Sequence, residues 1–162
     1  MGSITPCLWF DGKAEEAAML YTSVVRNSRI VNVSRAGQDE GSALTVSFEL
    51  DGQPFVALNG GPQFSFTEAV SFQISCADQA EVDHYWTALT AGGEESRCGW
   101  LKDRFGLSWQ VVPRRLDEIM SGPDHDGVAR APVPRLRWCG RRRRCGCRRR
   151  GRGRRRRGRR RG

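Results

Sequence analysis

The side chains that most often perform chemistry are scarce in this chain and poorly spaced for it. Histidine occurs only at His84 and His125, so a Ser-His-Asp set has little to be assembled from. Six cysteines are present, of which Cys7, Cys76 and Cys98 sit in apolar or strand-like contexts that suit reduced, buried thiols. Cys98, beside Gly99 and Trp100, is a candidate nucleophile. No histidine is near it in sequence and apolar surroundings raise a thiol's pKa, so an inert role is expected. Cys139, Cys145 and Cys147 have neither a CxxC spacing nor a partner histidine and match no common zinc arrangement. Asp103 and Glu68 are candidate acids or bases, with a turn cap and a solvated loop charge as their simpler roles.

What remains is a set of neutral hydrogen-bonding groups. Period-two alternation puts Ser71, Gln73 and Ser75 on one face of a strand and Phe72 and Ile74 on the other. Gln110 and Val112 oppose Trp109 and Val111 in the same way, and Asn59 ends an apolar run just before Gly60-Gly61. With Trp9 and Trp100 as aromatic walls, Asn59, Ser71, Gln73 and Gln110 form a candidate pocket for a small polar or aromatic ligand. The same amides could instead satisfy backbone groups of a sheet, and Asn59 also reads as a turn residue.

The elements that would position these groups come in a repeated layout. Residues 4–10 form a short apolar run broken by Asp11-Gly12, and a helical pattern starts at Lys13. There Ala14, Ala17, Ala18, Tyr21 and Val25 share one face, and Glu15 and Glu16 occupy the first turn, where the helix dipole favours acids. Strand-like runs follow at 29–34, 43–50 and 54–58, the last two joined by an Asp51-Gly52 hairpin signal. The order then recurs. A strand is expected over 69–76, then a helix capped by Asp78 with Glu81 at the capping-box position, and Val82, Tyr85, Trp86 and Leu89 mark its apolar face. Gly92-Gly93 ends it, and three more short strands are expected at 94–98, 100–104 and 107–113. The fold class is α+β: two β-α-β-β-β modules forming a cupped, eight-stranded mixed sheet with the helices outside.

Charge divides the chain into two unlike parts. Residues 130–162 hold 18 of the 27 basic residues and no acid, leaving 9 basic against 18 acidic residues before them. The expected division is a domain over 1–123 and an Arg/Gly-rich tail over 124–162 with no means of forming a core, for which disorder is the expectation. Such a tail would bind nucleic acid or another polyanion with steep salt dependence. Its composition is also what a GC-rich coding stretch yields when read out of frame, and that origin is the favoured of the two readings. No run of eighteen apolar residues and no signal-peptide pattern is present, which fits a cytoplasmic protein without a membrane partner.

The strings FDGKAEEAAMLY, FVALNGGPQFSFTEAVSFQISC and CGWLKDRFGLSWQVVP resemble the PhnB-like group of the vicinal-oxygen-chelate (glyoxalase/bleomycin-resistance) superfamily, often labelled 3-demethylubiquinone-9 3-methyltransferase-like. The resemblance runs over residues 4–123. It implies the paired β-α-β-β-β fold, a homodimer and a small-molecule ligand. In the superfamily's metal-dependent enzymes, His and Glu on the first, fourth, fifth and eighth strands hold a divalent cation. The corresponding positions here are Pro6 and Cys7, Asn59, Ser71 or Gln73, and Gln110. Amides and hydroxyls carry no charge to balance such a cation, His84 falls within the second helix and His125 beyond the domain, so no cofactor is expected and a divalent metal is disfavoured. The methyltransferase label would call for a glycine-rich strand-to-helix turn to hold S-adenosylmethionine. No GxGxG string follows a strand here.

Overall fold

The structure, a computed structural model, describes residues 4–35, 41 and 43–114. Its element order is β1 (Cys7–Phe10), α1 (Ala14–Val24), β2 (Arg29–Arg35), β3 (Ala43–Leu50), β4 (Gln53–Asn59), β5 (Ser71–Cys76), α2 (Gln79–Thr90), β6 (Glu94–Glu95), β7 (Trp100–Lys102) and β8 (Ser108–Pro113). The eight strands divide between two four-stranded sheets, ordered β1-β4-β3-β2 and β5-β8-β7-β6. In each sheet the first strand of the module runs parallel to the last, and the remaining pairs are antiparallel. The module expected twice from the sequence is therefore present twice with the same topology.

Local chemistry explains where the elements begin and end. Asp51 and Gly52 both take positive φ, +47° and +81°, the conformation a two-residue hairpin needs to match strand twist. Asp78 caps α2 by accepting from Glu81 N at 2.9 Å. Glu81 Oε2 in turn accepts from Ala77 N at 2.8 Å, one residue earlier than a standard capping box. At α1 the N-cap Lys13 contributes no side-chain bond. The orphan N–H of Ala14 is satisfied from across the fold, by Asn59 Oδ1 at 2.9 Å.

Each helix packs its apolar face on its own sheet. Ala14, Ala17, Ala18, Tyr21 and Val24 are buried from α1, while Val82, Tyr85, Trp86 and Leu89 are buried from α2. Val24 takes the buried place expected of Val25, which is the extended C-cap residue. Strand parity follows: Leu8, Phe10, Val46, Phe48, Leu50, Phe55 and Ala57 turn inward in the first module, and Leu101, Trp109 and Val111 in the second. The strand expected over 94–98 shortens to two residues. Cys98 has φ +57° and Gly99 +83°, so the chain turns there instead of extending.

Aromatic contacts join the modules. Tyr21 of α1 meets Trp109 edge-on at 5.3 Å between ring centroids, and Phe55 meets Phe72 at 5.2 Å. A polar seam lies beside them: His84 of α2 bonds the Val24 carbonyl at 3.0 Å, and Arg26 pairs with Glu81 at 2.9 Å.

Candidate functional site

The most heavily bonded polar group in the core is Asp103, only 3% exposed, in the turn between β7 and β8. Its Oδ1 accepts from Phe105 N at 2.8 Å and Leu107 N at 3.1 Å, which is the turn-capping role expected from sequence. Its Oδ2 accepts from Tyr21 Oη at 2.7 Å and Trp109 Nε1 at 2.9 Å. Four donors thus satisfy one buried carboxylate, the condition under which such a group is tolerated in a core. Burial first, then the charge and hydrogen bond of Asp103, push the Tyr21 hydroxyl well above the ordinary phenol range, so it stays a donor.

This bonding fixes the segment Arg104–Phe105–Gly106, which forms one wall of a hollow of about 400 Å³. Trp9, Phe10, Asp11 and Lys13 from the end of β1 and start of α1 also line it, and Phe64 and Phe66 from the β4–β5 connection complete it. The aromatic rings interlock edge to face: Trp9 with Phe64 at 5.0 Å, Phe10 with Phe66 at 5.2 Å and Phe10 with Phe105 at 6.1 Å. Trp9 is anchored by donating from Nε1 to the Gly61 carbonyl at 2.8 Å. Gly60 lies flat against the indole, and a Cβ there would overlap the ring. The Arg104 guanidinium stands over the Phe105 ring at 5.7 Å, while Lys13 is paired with Glu16 at 3.0 Å.

The six residues proposed from sequence as one pocket are separated by the fold. Trp9 belongs to the aromatic hollow. Ser71 and Gln110 lie on the open face of the second sheet, where Gln110 Nε2 donates to Ser71 Oγ at 2.8 Å. Gln73 is opposite Gln110 in the parallel register and lies at the edge of a second hollow, of about 500 Å³, with Phe55, Phe72 and Tyr85. Trp100, also in register with Gln110, borders a third and smaller hollow of about 110 Å³ with Lys102 and Ser108. Asn59 faces the helix side, with Phe55 and Ala57. Its Nδ2 donates to Ala43 O at 2.7 Å and its Oδ1 is taken by Ala14 N, which is the backbone-satisfying alternative.

The other candidates resolve simply. Cys98 is exposed, not buried as expected, and sits at a positive-φ turn. Cys76 is buried, and burial first, then Glu81 and Asp78, push its thiol up to about 11. Glu68 pairs with Lys102 at 2.6 Å, and that hydrogen bond holds its carboxyl below the usual range. His125 and the arginine tail lie outside the described residues.

The positions at which the resemblance would place metal ligands do not suit a divalent cation. Cys7 is exposed at the first, both amide atoms of Asn59 are committed to backbone groups at the second, and Gln110 is bonded to Ser71 at the last. All but the thiol are neutral donors. Among the described residues no three His, Cys, Asp or Glu side chains are grouped to hold a metal.

Sequence reasoning missed Phe64, Phe66, Arg104 and Phe105 as site residues. The available signal was two phenylalanines inside a polar connection, where burial in a periodic element could not account for them.

A sequence model of the family described as 3-demethylubiquinone-9 3-methyltransferase matches residues 2–112. No curated protein matches. A PhnB protein of Bacillus cereus, bearing the same methyltransferase description, is 33% identical, with 69% of this chain and 99% of that one covered and a TM-score of 0.62. A Pseudomonas aeruginosa protein at 19% identity covers 70% and 98%, with a TM-score of 0.56. The fosfomycin resistance protein FosX of Listeria monocytogenes, also 19% identical, covers 75% and 98% at 0.52. These last two are likenesses of fold.

Proposed function

The chain belongs to the 3-demethylubiquinone-9 3-methyltransferase family, within the PhnB-like group of the vicinal-oxygen-chelate superfamily, and from that premise we propose that it binds a small molecule in the hollow beside Trp9. The observation that carries this reading is the wall itself. Trp9, Phe64, Phe66 and Phe105 surround a space of ordinary ligand size with a few charged groups at its rim. Phe64 is 64% exposed, a cost in water that a bound ligand would offset. The 500 Å³ hollow is a weaker candidate, because its Arg26 and Glu81 neutralise each other.

The fold supports binding over the methyl transfer in the family's name. Two separate four-stranded sheets replace a doubly wound parallel sheet. Gly60-Gly61 leads into a connection and Gly92-Gly93 follows a helix, so neither pair opens a helix behind a strand. The test is a thermal-shift screen of small aromatic and oxygen-rich compounds against the full chain, Phe64→Ala and Gln73→Ala. Hits should lose their stabilising effect in Phe64→Ala and keep it in Gln73→Ala. Hits indifferent to Phe64, or none at all, would refute the site.

A second activity is favoured by one observation. The relatives' chains are covered almost to their ends by about 70% of this one, and 18 arginines without an acid lie in residues 130–162. We propose that this segment binds nucleic acid through counterion release, independently of the hollow. Mobility shifts with an oligonucleotide should weaken steeply with salt and vanish on truncation after Gly122. Equal binding by the truncated chain would refute it.

A further inference from the structure

We propose that the hollow beside Trp9 selects a planar aromatic carboxylate carrying a second polar group, an amine or hydroxyl, on its ring. This rests on the binding reading above and specifies its ligand. Lys13 is paired with Glu16, so that cation and that anion largely satisfy each other. Arg104 and Asp11 line the same hollow and neither has a salt-bridge partner among the described residues.

Arg104 is also held in place before any ligand arrives. Asp103 accepts from the backbone N–H groups of Phe105 and Leu107, which fixes the turn on either side of it. The guanidinium then lies over the Phe105 ring. A guanidinium held over an aromatic face makes no hydrogen bond to it, so its N–H fork is left for the two oxygens of a carboxylate. Trp9 and Phe64, in edge-to-face contact at 5.0 Å, give the same hollow an apolar aromatic wall against which a ring can pack. Asp11 accepts only, so a ligand with a ring N–H or O–H donor is favoured over one with a second anionic group, which would meet both Asp11 and Glu16. The selection is thus by charge sign at Arg104 and by donor at Asp11.

The experiment is isothermal titration of the full chain with 4-aminobenzoate, benzoate, benzamide and phthalate, repeated on Arg104→Gln and Phe64→Ala. Both substitutions are at exposed side chains, and circular dichroism checks that each variant is folded. Expected is an affinity order of 4-aminobenzoate over benzoate over benzamide, with phthalate weakest. Loss of about tenfold for the two monocarboxylates is expected in Arg104→Gln, against no change for benzamide. Monocarboxylate binding unaffected by Arg104→Gln, or benzamide binding as well as benzoate, overturns the proposal. If none of the four binds while other compounds stabilise the protein in a Phe64-dependent way, the ligand class is wrong and the site stands. If nothing Phe64-dependent is found, both fall.

Discussion

The Tyr21 hydroxyl donates to Asp103 Oδ2 at 2.7 Å between residues 82 positions apart, tying the helix of the first module to the β7–β8 turn of the second. The same carboxylate organises the turn that carries Arg104 and Phe105. Stability and the shape of the hollow therefore depend on one group.

Tyr21→Phe should cost about 1–2 kcal/mol, because Asp103 keeps three of its four donors. Asp103→Ala should cost about 3–5 kcal/mol, since it strands the Tyr21 hydroxyl, the Trp109 indole N–H and two backbone donors in the core. Urea unfolding midpoints check both. Equal effects of the two substitutions would show that the carboxylate does not organise the turn.

Asn59→Ala should destabilise by about 1–2 kcal/mol through the unpaired Ala14 N–H and Ala43 carbonyl. Asn59→Asp keeps the acceptor for Ala14 and loses the donor to Ala43, so it should fall between wild type and Ala. Denaturant titration of the three proteins gives the order.

Gly60→Ala forces a methyl group into the Trp9 indole. Overpacking of this kind costs about 1–3 kcal/mol, and relief comes only by moving the indole that walls the hollow. The expected signature is a shifted tryptophan emission together with lost ligand response. A stable variant with unchanged emission would contradict the packing described.

Alkaline pH should weaken the fold through Cys76. Its thiol is raised in the folded state to about 11 from an ordinary value of 9.0, so the folded protein holds the proton more tightly than the unfolded chain. The contribution is complete below pH 9 and is lost as pH rises towards 11, with Tyr21 adding in the same direction at higher pH. Melting temperatures from pH 8 to 11 should fall less steeply for Cys76→Ala than for wild type.

Much of the architecture was legible because it rests on period and punctuation. Ala14, Ala17, Ala18 and Tyr21 announce α1 by spacing, Asp78 with Glu81 announces the start of α2, and Asp51-Gly52 announces the hairpin. Strand parity also held the answer for Asn59: it shares odd numbering with the inward Phe55 and Ala57, and so points to the helix. The candidate site was less legible. Ser71, Gln73 and Gln110 do share a face, but Trp9 is drawn away by Phe64, which comes from a connection with no periodicity. The Tyr21–Asp103 bond carries no local signal, since its partners lie 82 positions apart in different modules.

The hollow takes Trp9 and Lys13 from the first module, Phe64 and Phe66 from the tether, and Arg104 and Phe105 from the second. Anything that occupies it must grip both halves at once, so occupancy and the docking of the halves share a single linked free energy. Each would reinforce the other to the same degree, and a substitution that loosens the halves would be felt as weaker affinity even when it lies far from the bound molecule.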